Sequence, residues 1–197
     1  YNLSRPRKTT VAMISTLPLA ADPQRGYEPW VAYQQAMQFF DLRILGGNIK
    51  QIDDQTDILL LIQPTSLSDT TLYAIDQFVM RGGKLLAFID PHVEVKPPPR
   101  QEQGQPYKPP PSHAIGRLLD AWGVEMPVDK VLGDRIAAQR VAALSGGRRV
   151  VTEYLPWLSI GQFGMNPMDV VTSEIERVNL ISSGYLKLSE GSKLNIE

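Results

Sequence analysis

The sequence predicts an α/β fold, an open and mostly parallel sheet with helices on both faces, and three observations carry that prediction. The stretch Asp57 to His92 (DILLLIQPTSLSDTTLYAIDQFVMRGGKLLAFIDPH) reads as strand, helix and strand, with each boundary marked chemically. Within it, Ile58 to Ile62 is apolar without alternation, as suits a strand covered on both faces of a parallel sheet. A similar strand–helix–strand pattern precedes it between Thr9 and Leu45. Right-handed crossovers in both units then give four parallel strands.

Taken in order, Thr9 to Ser15 (TTVAMIS) is β-branched and apolar, a first strand after the basic lead Arg5-Pro6-Arg7-Lys8. Pro18 to Tyr27 is a polar loop, and Pro29 suits the first turn of a helix running to about Phe40, with Trp30, Tyr33, Met37 and Phe40 as its buried stripe. Asp41 to Leu45 is a short second strand, and Gly46-Gly47-Asn48 a turn. After the Ile58 to Ile62 strand, Pro64 stops the ladder and Ser68 caps a helix, with Leu67 and Leu72 spaced as a hydrophobic staple. Leu72, Ile75, Phe78 and Val79 recur at helical spacing, so one face packs on the sheet. Gly82 and Gly83 end the helix, and Lys84 to Ile89 is the next strand.

The stretch 93–111 differs from the rest: EVKPPPRQEQGQPYKPPP, which begins at Glu94, contains seven prolines and no aliphatic residue after Val95. Such a segment cannot form a core, and it reads as an exposed flexible loop of polyproline character. Ser112 is placed to cap a helix with the stripe Ile115, Leu118, Leu119 and Trp122, terminated by Gly123. Beyond it, Ile136 to Leu144 and Val150 to Ile160 read as strands joined at Gly146-Gly147, with Pro156 putting the second at an edge or ending it there. Asn166-Pro167-Met168-Asp169 is a turn, and Val178 to Leu188 has strand character around Gly184. These elements are expected at the far side of the same sheet.

At 197 residues, one domain over 1–197 is the default. Twenty basic and twenty-one acidic residues leave a net charge of −1, so no global field attracts nucleic acid, and the short basic runs Arg5 to Lys8 and Arg148-Arg149 read as solvated or membrane-proximal. The absence of cysteine excludes disulfides and thiolate chemistry. No apolar run reaches the roughly 20 residues of a membrane span. The start at Tyr1 and the end at Glu197 read as those of an excised piece, with flanking membrane segments expected outside it.

Three segments together, GYEPWVAYQQAMQFFDLRIL, then the Asp57 to His92 stretch, then NPMDVVTSEIERVNLISSGYLKL, resemble the extracytoplasmic domain of the ABC-transporter auxiliary family, whose GldG-type members are associated with gliding motility. The most specific part is the capped helix followed by Arg-Gly-Gly-Lys and an apolar strand ending in Asp-Pro-His. The resemblance implies a periplasmic domain, anchored to the inner membrane through segments absent from this chain, that works with an ABC permease and ATPase. It also implies a fold similar to class I glutamine amidotransferases, or flavodoxin-like. Those amidotransferases use a cysteine nucleophile, which this chain lacks, so the chemistry is not carried over.

In open α/β sheets ligands bind beyond the carboxyl ends of the strands, which singles out Gln63, Asp90 and His92 as ligand-binding candidates. Asp90 and His92 have the residue types of an acid/base pair or a metal site, against the plainer reading of an Asp-Pro turn. His113, the second imidazole, follows the proline tract. Ser66, Ser68 and Ser182-Ser183 lack the Gly-x-Ser-x-Gly elbow of a serine nucleophile, and Gly82-Gly83 ends a helix where a phosphate site would open one. No cofactor, metal or catalytic residue is expected. Trp30, Trp122 and Trp157 fall on apolar stripes or strands and read as core. The resulting expectation is a non-catalytic binding or coupling domain; the rival is a metal-dependent or hydrolytic enzyme centred on Asp90, His92 and Glu94.

Overall fold

The structure, a computed structural model, describes residues 7–21, 26, 28–94, 113–192 and 194. Most of the proline tract, the Ser112 cap and the start of the basic lead therefore lie outside the described residues. The described chain divides into two compact units. One holds the residues up to Ile89 together with 113–125 and those from Leu188 onward; the other holds 90–94 and Met126–Lys187.

The first unit is built on strands β1 (Thr10–Ser15), β2 (Asp41–Ile44), β3 (Ile58–Ile62) and β4 (Lys84–Phe88), with helices α1 (Val31–Phe39) after β1 and α2 (Asp69–Met80) after β3. The strands are all parallel, in the order β2-β1-β3-β4. The expected open α/β sheet is present, although helices are few. Because the chain moves outward from β1 to β2 and in the opposite direction from β3 to β4, right-handed crossovers place α1 and α2 on opposite faces. Register puts Ala12 beside Leu59 and Ile14 beside Leu61, and this row is at most 2 % exposed.

Strand β3 departs from the expected two-sided burial. Ile58, Leu60 and Ile62 on the other face are half-buried, and their β4 partners Leu86 and Phe88 are 50 % and 57 % exposed. The weak cover matches α1, which buries no residue; of its expected stripe, Trp30, Tyr33 and Phe40 are half-buried and Met37 is exposed.

Helix α2 follows its sequence signals closely. The Ser68 hydroxyl accepts from the Thr71 backbone N–H at 3.1 Å, and Leu72, Ala74, Ile75 and Phe78 are buried. Thr71, fully buried, takes the Ile49 N–H at 2.8 Å and donates to the Gly47 carbonyl at 2.9 Å, tying the Gly46-Gly47-Asn48 turn to the start of the helix. At the other end Gly82 adopts φ 89°, and a Cβ on Gly83 would stand 2.5 Å from the Phe78 ring. The unit continues with α3 (Gly116–Ala121); of the expected stripe, Ile115 just before it and Leu118 and Leu119 within it are buried, Trp122 is half-buried, and Gly123 at φ 78° ends the turn. Strand β5 (Val124–Glu125) follows.

The later strands do not extend the parallel sheet. In the second unit β6 (Ala138–Ser145), β7 (Arg148–Gly161) and β8 (Arg177–Ile181) form their own antiparallel sheet in that order. Gly146 and Gly147, at φ 58° and 78°, make the two-residue hairpin turn anticipated from their sequence. Pro156 neither ends β7 nor puts it at an edge. It sits where the β6 register jumps from Gln139–Tyr154 to Ala138–Leu158 and where pairing with β8 begins at Trp157, so the missing N–H falls at a ladder irregularity. The stretch Val178 to Leu188 is likewise not one strand. It breaks at Ser182, φ 49°, and resumes as β9 (Lys187–Leu188), which pairs with β5. The Asn166 turn forms: its Oδ1 accepts from Met168 N–H at 3.0 Å.

Candidate functional site

The sequence candidates fall in two places, one in each unit. In the first unit the crevice between the carboxyl ends of β1 and β3 is the topological switch point, since the chain leaves these neighbours in opposite directions. Gln63 stands at that point, 3 % exposed and at φ 44°. A left-handed conformation without glycine costs on the order of 1 kcal/mol and persists where neighbours over-determine it. Here the Gln63 N–H donates to the Phe88 carbonyl at 2.8 Å, and its carbonyl accepts the Thr16 hydroxyl at 2.6 Å. Thr65 donates to the Thr16 hydroxyl at 3.2 Å. Hydroxyls and pinned backbone thus make an uncharged polar lip at the switch point. His113, in the same unit, has both ring nitrogens buried without a hydrogen-bond partner among the described residues. Burial holds its imidazole below the ordinary histidine range, against the pull of Asp120, so the ring is neutral at pH 7.

In the second unit Asp90 and Glu94 meet the turn Ser182-Ser183-Gly184. Asp90 is half-buried and accepts from the Ser183 side chain; burial lifts its carboxyl above the ordinary range and the Ser183 bond opposes the lift. Glu94 Oε1 accepts both the Ser182 hydroxyl and, at 2.8 Å, the Tyr154 hydroxyl. The Ser182 bond leads, with Tyr154 and the charge of His92 adding to it against partial desolvation, and together they hold the Glu94 carboxyl below its usual range. The same bond pushes the Tyr154 phenol up. Backbone contacts fix the turn: Ser182 N–H donates to the Pro156 carbonyl at 2.9 Å, and the Ser183 carbonyl accepts Leu132 N–H at 2.8 Å. A Cβ on Gly184 would lie 2.9 Å from Pro91 Cδ, so the turn closes over the proline ring only with glycine there.

This arrangement is a clasp. Its carboxylates accept hydrogen bonds from hydroxyls, and its buried serine, 2 % exposed, faces a carboxylate of lowered basicity. His92 is exposed and forms no hydrogen bond among the described residues, so hydrogen bonding does not join it to Asp90 as an acid/base pair. Nor do three or more His, Cys, Asp or Glu side chains group to hold a metal among the described residues. No helix among them is long and apolar enough to cross a membrane.

Sequence reasoning missed Tyr154, Ser182 and Ser183 as partners of the Asp90–Glu94 segment. The one available signal was Gly184 inside an apolar stretch, which marks close backbone approach without saying to what. Residues 8–197 match the profile of an auxiliary ABC transport family described as "ABC-type uncharacterized transport system". No curated protein and no solved structure matches the chain.

Proposed function

Because the chain belongs to the auxiliary family of ABC-type transport systems, we propose that it is the non-catalytic, extracytoplasmic binding or coupling domain of such a system, held on the periplasmic side of the inner membrane. Its partners in this reading are the ABC permease and ATPase, and its anchor is a membrane segment outside the present sequence. The family match over residues 8–197 is the observation that carries it. The geometry of the second unit is in keeping with it: the carboxylates expected of an enzyme are used to hold a turn, and the enzyme alternative centred on Asp90 and His92 gains no support. The GldG-type resemblance extends the same reading to gliding motility.

Isolation of the full-length protein from its native membrane in mild detergent, followed by mass spectrometry of what accompanies it, tests the proposal. Co-recovery of an ABC permease and an ATPase is the expected result. Recovery of neither, with turnover of a hydrolysable substrate that Asp90→Ala abolishes, overturns it.

A further inference from the structure

The hairpin of β6 and β7 exposes apolar side chains that its own sheet leaves uncovered. Directly paired residues of an antiparallel ribbon share a face, which places Leu144 with Arg149, Ala142 with Val151 and Arg140 with Glu153 on one side. Leu144 is 78 % and Val151 63 % exposed, and Ala142 is exposed between them. Near the tip Val150, on the opposite side, is 39 % exposed beside Arg148. Strand β7 pairs with β8 only from Trp157, so the outer part of the hairpin stands as a two-stranded ribbon.

Charge on this arm is predominantly positive. From Arg135 to Leu155 there are four arginines, Arg135, Arg140, Arg148 and Arg149, against the single acid Glu153. All four are exposed, and none forms an ion pair among the described residues. The chain as a whole carries −1, so the arm is a local positive feature on a near-neutral molecule.

We propose that the tip of this arm docks on an anionic lipid surface, with Leu144, Val150 and Val151 entering the headgroup boundary and Arg148 and Arg149 at phosphate level. Charge complementarity selects that occupant. Shallow apolar insertion and basic side chains add in such contacts. The arginines lie among the apolar side chains, which lets guanidiniums reach phosphates above a buried stem. The glycine turn brings Leu144 and Arg149 together at the leading end, as an inserting tip requires.

The test is co-sedimentation of the 197-residue chain with phosphatidylcholine vesicles containing about 30 % phosphatidylglycerol, and with pure phosphatidylcholine vesicles. The chain is expected to bind the anionic vesicles and not the neutral ones, and to be released as salt is raised. Arg148→Glu with Arg149→Glu lowers the partition coefficient by about tenfold or more, and Leu144→Asp with Val151→Asp by about as much. The exposed Arg117→Glu, in the other unit, leaves it unchanged. Unaltered melting temperatures show that the variants fold. No binding to anionic vesicles, or binding that neither double variant weakens, overturns the proposal. So does loss of a co-purifying protein with Arg148→Glu/Arg149→Glu in the absence of vesicle binding, which makes the arm a protein-docking element. Failure here leaves the transport reading intact, because that reading is tested by recovery of the permease and ATPase.

Discussion

The two units solve the problem of covering a sheet differently. In the first, a parallel row of Ala12, Ile14, Leu59 and Leu61 is almost wholly removed from water, and α2 contributes Ile75 and Phe78 at 0 % and 2 % exposure. In the second, the buried apolar residues among those described are few, Pro91, Met126, Ala137 and Leu158, while Leu144 and Val151 face solvent. Burial of apolar area is what stabilises a fold, at roughly 25 cal/mol per Å2. The first unit therefore relies on a core, whereas the second relies on its ladder and on side-chain hydrogen bonds such as those of Glu94 and Asp90.

That contrast is broken most directly by truncating the best-buried aromatic. Phe78→Ala removes a ring that fills the core and lies under the Arg81 guanidinium, 5.3 Å from the centroid. A loss of about 3–5 kcal/mol is expected in urea denaturation. In the second unit the sensitive position is a backbone approach: Gly184→Ala places a methyl 2.9 Å from Pro91, and a loss of about 1–3 kcal/mol in the same measurement is expected. Ser68→Ala deletes the cap of α2 and costs about 1 kcal/mol, while Ser68→Asp retains most of it. Val151→Ala, on the exposed ribbon, is expected to change stability by no more than about 0.5 kcal/mol.

The smallest effects sharpen the comparison through pH. Glu94 has a folded pKa below its unfolded value, so its contribution is complete above the ordinary glutamate range and is lost as pH falls through the lower folded value. Asp90 has the opposite sign: its folded pKa is raised, so its contribution grows more favourable as pH falls through that raised value toward the unfolded one. Denaturation midpoints followed from neutral to acid pH should therefore show Glu94→Gln losing stability at neutral pH and flattening the acid limb. Asp90→Asn should cost little at neutral pH and remove the opposing slope. Equal, parallel shifts in both variants would show that the clasp does not discriminate its two carboxylates.

Legibility followed the range of the interactions. The cap of helix α2, its glycine stop and most of its stripe were readable because they lie within a few residues of one another and each acts on its own neighbourhood; Val79 is only half-buried, and the buried Thr71 and Ala74 lay outside the expected stripe. The hairpin at Gly146-Gly147 was readable for the same reason. The poorly covered stripe of α1 was not, since helical spacing shows which residues share a face and not how much sheet lies opposite that face.

By itself, the sequence determined the four-strand parallel α/β core, the place of Gln63 just after the β3 strand and the resemblance that the family match upholds. Local propensity and hydrophobic period suffice for these. Tertiary structure alone decided that the later strands form a separate antiparallel sheet, that Pro156 falls at a ladder break, and that Ser182 reaches Glu94 across 88 positions. Pairings at such separation depend on which surfaces remain to be covered after the local elements have formed, and no short-range pattern of residues encodes that choice.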